Sequence, residues 1–303
     1  MELRQFLYAI QIATEKNFSR AADKLHLAQP SLSQQLSKLE KEIGVLLFQR
    51  NTNSVEITYA GEVFVEKAQK ILDMVNQLKK EMEDISQMRK GKLVVGSLPI
   101  TGSHILPLVL PVFQSRYPEI EIVLVEETST RLEHLTSNGQ TDISLLTLPL
   151  HEPSLTYQSL VDEEIWLALP PQHALLQAKN QPSHSKEAWI QIKDLHKEPF
   201  IVLKKGQGFR QITEELCLSA GFQPNIVFES TNIDTVKSLV AAGMGIAFVP
   251  SMIARNQGSP FTPAYVSLQE KPFRTLVIAY RKGRYLSKAA EAFIETLLEV
   301  TSL

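Results

Sequence analysis

Two stretches of the 303-residue chain carry side chains whose types and spacing can do chemistry. The first runs from Gln29 through Lys38. Leu32, Leu36, Leu39 and Ile43 recur there at helical spacing and make one apolar face. The other face carries Ser33, Gln34, Ser37 and Lys38, short donors and acceptors with one cation, a surface that a groove of DNA accepts. The second stretch is Lys204-Lys205-Gly206-Gln207-Gly208-Phe209-Arg210. Its glycines let the backbone approach a ligand closely, and Arg210 can hold a carboxylate in a bidentate fork. Arg210 has a second reading, as a solvated residue in the first turn of its helix.

The elements that must position the first stretch are legible on either side of it. Phe18, Ala21, Ala22 and Leu25 share one helical face, and Asn17 or Ser19 can cap that helix. A turn at Ala28-Gln29-Pro30 separates it from the next helix. Pro30 fixes its own backbone and is expected to push Gln29 out of the helical region, leaving Ser31 as the cap. Gly44 suits the end of that helix. Leu3, Phe6, Leu7, Ile10 and Ala13 form an earlier apolar stripe, so three helices share one small core. VLLFQR, the polar turn Asn51-Thr52-Asn53-Ser54 and VEIT have the composition of a small β-wing. The plain alternative is a trihelical packing unit with a polar outer face.

A long helix is expected from Thr58 to about Arg89. Ala68, Ile71, Val75, Leu78, Met82 and Ile85 are spaced alternately three and four residues apart, the seam of a coiled coil that needs a partner helix. The alternative is a long amphipathic helix packed on its own domain. Lys90-Gly91-Lys92 marks a hinge. From Lys92 onward strand and helix alternate repeatedly, which predicts mostly parallel sheets covered by helices, in two subdomains.

In open parallel sheets, ligands sit beyond the carboxyl ends of strands. Those points carry Pro99, Ile100, Thr101, Gly102 and Ser103, then Thr128 and Ser129, then Thr147. In the second run they carry Gly206, Gln207 and Arg210, then Ser230, Thr231 and Asn232. Several helix N-termini aimed at one cleft make an anion site. Each hydroxyl can cap its helix or turn to a ligand. The expectation is a small carboxylate-bearing metabolite, an organic acid, as effector.

Composition narrows the alternatives. The length suggests two or three domains. Net charge is -2. Residues 1–58 hold seven Lys/Arg against six Asp/Glu, a balance of +1, so any basic footprint for nucleic acid must be local. One cysteine, Cys217, excludes an intrachain disulfide, and no Cys/His cluster has metal-ligand spacing. No metal or other cofactor is expected. The N-terminus lacks the features of a secretory leader, and no apolar run has the length of a membrane span. A cytoplasmic protein is expected. No GxSxG elbow, dinucleotide fingerprint or catalytic carboxylate pair stands out, so an enzyme is not expected. A secreted binding protein using the second half alone would carry a signal peptide where this chain has its helix-turn-helix.

AADKLHLAQPSLSQQLSKLEKEIGVLLFQR, followed by VEITYAG, resembles the N-terminal signature of the LysR-type transcriptional regulators. The matching residues are Ala21-Ala22, Gln29-Pro30, Ser33, Leu39-Glu40, Gly44, Leu47-Phe48, Arg50, Thr58 and Ala60-Gly61. The resemblance is specific over residues 1–61 and architectural beyond Lys92. It implies a multidomain α/β chain: a winged helix-turn-helix at 1–58, a dimerising linker helix at 59–90, and an effector domain of periplasmic-binding-protein-like type at 91–303. Subdomain I of that effector domain is expected at about 91–161 and 266–303, and subdomain II at about 162–265. Residues expected to meet double-stranded DNA are Ser19, Arg20, Gln29, Pro30, Ser31, Ser33, Gln34, Lys38, Arg50 and Asn53. Those expected to line the effector cleft are Pro99, Ile100, Thr101, Ser103, Ser129, Thr147, Gly206, Gln207, Arg210 and Thr231. The implied partners are DNA, a small effector, a second copy through the linker helix in a dimer of dimers, and RNA polymerase. No membrane partner is expected. One departure weakens the implied wing contact. Family members often carry Arg or Lys where this chain has Asn53, and a neutral side chain is drawn less strongly to the narrow minor groove.

Overall fold

The chain folds as α1 (Leu3–Glu15), α2 (Phe18–Lys24), α3 (Gln29–Ile43), β1 (Phe48–Arg50), β2 (Val55–Ile57) and α4 (Tyr59–Ile85), followed by a larger α/β unit. The computed structural model describes residues 1–50, 55–85, 91–177, 190–255 and 261–301. Its contacts divide it into two compact units. One holds Met1–Gly91 with Asn138–Gln140 and Gly283–Ser287, and the other holds the rest.

In the first unit, Ala9, Ile12, Ala21, Ala22, Leu32, Leu36, Leu39, Leu47 and Phe48 form the core of the three helices and wing. The stripe expected on α1 is out of phase with this core. Phe6, Ala9 and Ile12 are buried, whereas Leu3 and Leu7 are about half exposed. Gln5 is buried instead because its side-chain oxygen accepts the Glu2 amide at 2.9 Å, which removes the penalty for a polar group indoors. Asn17 caps α2 by accepting the Arg20 amide. The start of α3 differs from expectation. Ala28 is the extended N-cap residue and makes no side-chain cap, Gln29 is already helical, and Pro30 sits in the first turn. Proline is tolerated there because its missing N–H would find no helical partner anyway. Ser31 therefore lies inside the helix and is not its cap. Gly44 ends α3 at φ 78°, a conformation that favours glycine.

β1 and β2 pair antiparallel, with Arg50 opposite Val55. The wing tip, residues 51–54, lies outside the described residues, as does the expected tail of the linker helix at 86–89. Along α4, Ala68 is buried, while Ile71, Met74, Leu78 and Met82 are 39%, 64%, 57% and 49% exposed.

The second unit contains β3 (Gly91–Ser97, whose first residue belongs to the other unit), α5 (Pro99–Arg116), β4 (Ile120–Glu126), α6 (Ser129–Ser137), β5 (Ile143–Thr147), β6 (Leu155–Leu169) and α7 (Ala174–Gln177). It continues with β7 (Pro199–Leu203), α8 (Gly208–Ser219), β8 (Asn225–Ser230), α9 (Ile233–Ala241), β9 (Ala247–Pro250), β10 (Ala264–Ser267), β11 (Phe273–Arg281) and α10 (Lys288–Thr301). One sheet has the order β10-β6-β11-β5-β3-β4, with β9 also on β6, and a second pairs β7 with β8. β3 runs parallel to β5, and β7 to β8. The pairing is less parallel than the strand–helix alternation suggests, since β11 runs antiparallel to both β5 and β6, as β9 and β10 do to β6. The cause is topological. β6 carries the chain from one half of the unit into the other and β11 brings it back beside the outgoing strand. Each half has its own apolar core, one around Phe200, Phe248 and Val240 and one around Leu132, Leu146 and Val277.

Candidate DNA-reading head and effector cleft

The head is built so that α3 is fixed from behind and open in front. Leu32, Leu36 and Leu39 are buried, while Gln29, Pro30, Ser31, Gln34 and Lys38 are exposed and Ser33 and Ser37 are half-buried. Behind the helix, the Glu40 carboxylate accepts the amides of Leu47 and Phe48 at 2.8 and 3.3 Å. It thereby ties the first wing strand to α3. The Thr58 hydroxyl accepts the Gly61 amide at 3.0 Å and lies 2.8 Å from the Leu46 carbonyl. A Cβ on Gly61 would stand 2.1 Å from the Leu47 carbonyl oxygen, so only glycine lets α4 start this close to the strand. Glu40, Thr58 and Gly61 are thus scaffold positions, as are the buried signature residues Ala21, Ala22, Leu39, Leu47 and Phe48.

Cations flank the head. Ser19 and Arg20 are exposed at the start of α2. Arg20 donates to the Glu15 carbonyl at 2.7 Å, and Lys24 sits 2.8 Å from the Glu15 carboxylate. The Lys24 hydrogen bond holds the Glu15 carboxyl below its usual range, against the opposing effect of burial. Arg50 is placed on β1, and Asn53 lies outside the described residues.

In the second unit, a cavity of about 660 Å³ opens where strand ends from both halves meet, within the range of roughly 300–1,000 Å³ usual for small-molecule sites. Pro99, Ile100, Ser103, Thr147, Gln207 and Thr231 of the expected residues line it. Ser129, Gly206 and Arg210 instead line a neighbouring cavity of about 360 Å³, which shares Thr147 and Gln207 with the first. Gly208 lies at the division, where a Cβ would come 3.3 Å from Ser129 Oγ and 3.6 Å from Thr147 Oγ1. Thr101 is fully buried in the first turn of α5. The Thr101 and Ser129 hydroxyls and the Gln207 side-chain oxygen are buried without a hydrogen-bond partner. Native structures leave few such atoms unpaired; Ser129 lines the smaller cavity, Gln207 lines both, and Thr101 lines neither. Neither Leu98 before α5 nor Gln207 before α8 caps its helix with a side chain.

Arg210 does not have the open fork expected of it. Its guanidinium is 7% exposed and donates to Glu214 at 2.6 Å, to Glu229, and to the Leu203 carbonyl at 3.3 Å. Burial pulls its pKa down, but the hydrogen bonds it donates to Glu229 and Glu214 outweigh this and hold it above the usual arginine value. Glu214, one helical turn on, and Glu229, brought in by β8, take the fork.

The guanidinium that lines the larger cavity belongs to Arg274 on β11. It is 5% exposed, stacks 4.9 Å over the Phe209 ring, and donates through Nε to Glu163 at 2.8 Å. Arg274 and Glu163 are directly opposed across β11 and β6. Burial draws the Arg274 pKa below its usual value, and the Glu163 charge opposes that. Arginine is protonated at any physiological pH even so. Arg274 near the start of FRTLVIAYR and Glu163 at the head of EEIWLALP, charges adjoining apolar runs, are the available signal for this pair, because buried charges require partners. Cys217 is fully buried, and desolvation pushes its thiol up to about 12. Among the described residues no group of His, Cys, Asp and Glu has the arrangement of a metal site, and no helix is long and apolar enough to cross a membrane.

Residues 3–62 match the bacterial regulatory helix-turn-helix protein, lysR family, and residues 86–302 match the LysR substrate binding domain. The chain belongs to the LysR-type transcriptional regulators, which bind DNA through the helix-turn-helix and are not enzymes. It is 38% identical over 304 residues to the uncharacterised HTH-type transcriptional regulator YcgK of Bacillus subtilis (strain 168), covering 97% of this chain and 93% of that protein. It is 30% identical over 300 residues to the hydrogen peroxide-inducible genes activator of Pectobacterium carotovorum subsp. carotovorum, covering 99% and 96%. A full-length OxyR variant from Pseudomonas aeruginosa superposes with a TM-score of 0.74 at 27% identity, covering all of this chain and 95% of that one.

Proposed function

We propose that this regulator reads a two-fold repeated DNA site with paired heads and changes promoter activity when a small carboxylate-bearing metabolite enters the larger cleft. The carrying observation is the polar, solvent-facing side of α3 on a head whose back is fully packed. In this reading Gln29, Pro30, Ser31, Ser33 and Gln34 meet the major groove, and Ser19, Arg20, Lys38 and Arg50 approach phosphates or groove edges. Asn53, outside the described residues, offers DNA a weaker, uncharged contact than Arg or Lys. The exposed stripe of Ile71, Leu78 and Met82 supports pairing of linker helices, and pairing gives two weak heads a high effective concentration on one duplex. The working division is a head at 1–58, a linker at 59–90 and an effector domain at 91–303, acting in the cytoplasm.

For the effector, the unpartnered Arg274 Nη2 and the uncapped start of α8 support an anion at the cleft, since helix amides and dipole favour negative charge. Arg210 is replaced as its anchor by Arg274. The peroxide response named for one relative does not transfer as thiol chemistry. A disulfide within the chain needs a second cysteine, and the lone Cys217 is buried with little thiolate, the opposite of a reactive site.

The test is protection of the DNA upstream of the protein's own gene, with and without fractionated metabolite pools. Protection of two half-sites whose spacing or strength changes with one fraction is the expected result. Absence of any protected site across the salt range contradicts the proposal.

A further inference from the structure

The groups facing the larger cleft sort by depth and by charge. At the buried wall, Glu163 accepts the Met252 amide on one oxygen at 2.9 Å and Arg274 Nε on the other. With Phe209 beneath it, the guanidinium is held in plane and position before any ligand arrives. Nη2 carries two hydrogens, and the same Glu163 oxygen, 2.6 Å away, can take only one of them, leaving the other without an acceptor. A buried donor left unmade is costly, and a ligand oxygen is the acceptor within the cleft's reach. The amides that open α8, at Gly208 and Phe209, border the same space.

The exposed side has the opposite character. Glu126, Glu127 and Asp234 line the cavity and are all solvent-exposed. Asp234 is shared with Lys237 at 3.0 Å. Because Glu163 already cancels the charge of Arg274, the lining is net negative. A simple carboxylate would find directional donors at depth but repulsion at the mouth. A ligand with a cation at its other end gains at both.

Building on the reading that this cleft binds a small metabolite, we infer that the ligand is an aminocarboxylate, its carboxylate on Arg274 and the first amides of α8, its ammonium group between Glu126 and Glu127. Glu163 is a positioning residue in this arrangement, acting through Arg274. Thr101, Ser129 and the neighbouring cavity take no part in the charge selection.

The test uses the full-length protein and simple probes at matched ionic strength: alanine, β-alanine and γ-aminobutyrate against propionate, butyrate and butylamine. Thermal shift and calorimetry should show at least one amino acid binding roughly tenfold or more tighter than both the acid and the amine of its length, a difference of about 1.4 kcal/mol. Arg274→Gln alone strands Glu163, so the paired Glu163→Gln/Arg274→Gln variant is used to keep the fold. It should lose the carboxylate contribution. Glu126→Gln/Glu127→Gln, on the surface, should bring the amino acid and the simple acid to equal affinity. Propionate or butyrate binding as well as its amino counterpart overturns the inference, as does unchanged affinity in the paired arginine variant or no binding by any probe. In each of those cases a metabolite fraction that alters protection of the operator would still uphold the broader reading, so the two failures are separable.

Discussion

Replacing Arg210 by Ala separates a structural arginine from a ligand-binding one. The wild-type guanidinium is 7% exposed, while its partners Glu214 and Glu229 are 46% and 41% exposed. On truncation the carboxylates recover water, and such half-exposed pairs contribute little. The Leu203 carbonyl loses a donor, worth about 1 kcal/mol, and a methylene stem packed against the protein is lost at about 0.8 kcal/mol per buried carbon. A net destabilisation of about 2–3 kcal/mol follows for Arg210→Ala. In urea the unfolding midpoint of the effector domain should fall with the slope unchanged, because the surface exposed on unfolding is the same. Ligand affinity at the larger cleft should be unaltered once the folded fraction is taken into account. An unchanged midpoint combined with loss of effector response would refute this reasoning and return Arg210 to the role of a carboxylate fork.

The same pair gives a pH dependence. The hydrogen bond from Arg210 holds Glu229 below its ordinary value of 4.5, so its stabilisation is present above about pH 4.5 and is lost as pH falls through the depressed value. The gap in urea midpoint between wild type and Arg210→Ala should therefore narrow in acid, and a constant gap would exclude the linkage. Glu40→Ala leaves the buried Leu47 and Phe48 amides without an acceptor, at about 2–4 kcal/mol in all. Hydrogen exchange at those two amides should accelerate, and unchanged protection would show that Glu40 is not the tie between α3 and the wing. Leu78→Glu with Met82→Glu places like charges on the linker stripe. Light scattering should show dissociation, and an unchanged mass would place the dimer contact elsewhere.

The organisation of the head was legible because its positions answer to local rules. Helical spacing, an Asn cap and a glycine ending gave three helices, and two short strands gave the wing. The start of α3 departs from the sequence expectation because proline both restricts its predecessor and suits a first helical turn, and local sequence does not decide between them. On α1, the phase of the buried face depended on Gln5 finding a partner at Glu2. The strand–helix alternation of the second half was equally readable, but β11 lying between β5 and β6 depends on the return path of the chain. For the same reason Arg210 looked available and Arg274 did not. Sequence neighbours of Arg210 suggested a loop open to ligand, whereas Glu229 is nineteen residues away. Arg274 and Glu163 are 111 residues apart and meet only through strand pairing.

The most direct measurement of the central claim is titration of full-length protein onto DNA from its own upstream region, by fluorescence anisotropy over a range of salt. Ser33→Ala with Gln34→Ala is compared with wild type on this fragment and on a scrambled duplex. Wild type should bind the upstream fragment selectively and with salt sensitivity. In the double variant, affinity for the specific fragment should fall at least about tenfold, since groove contacts are worth about 1–3 kcal/mol each. Binding to scrambled DNA should be nearly unchanged. Equal binding of both duplexes by wild type, or full retention of selectivity in the variant, would contradict the assignment of α3 as the reading helix.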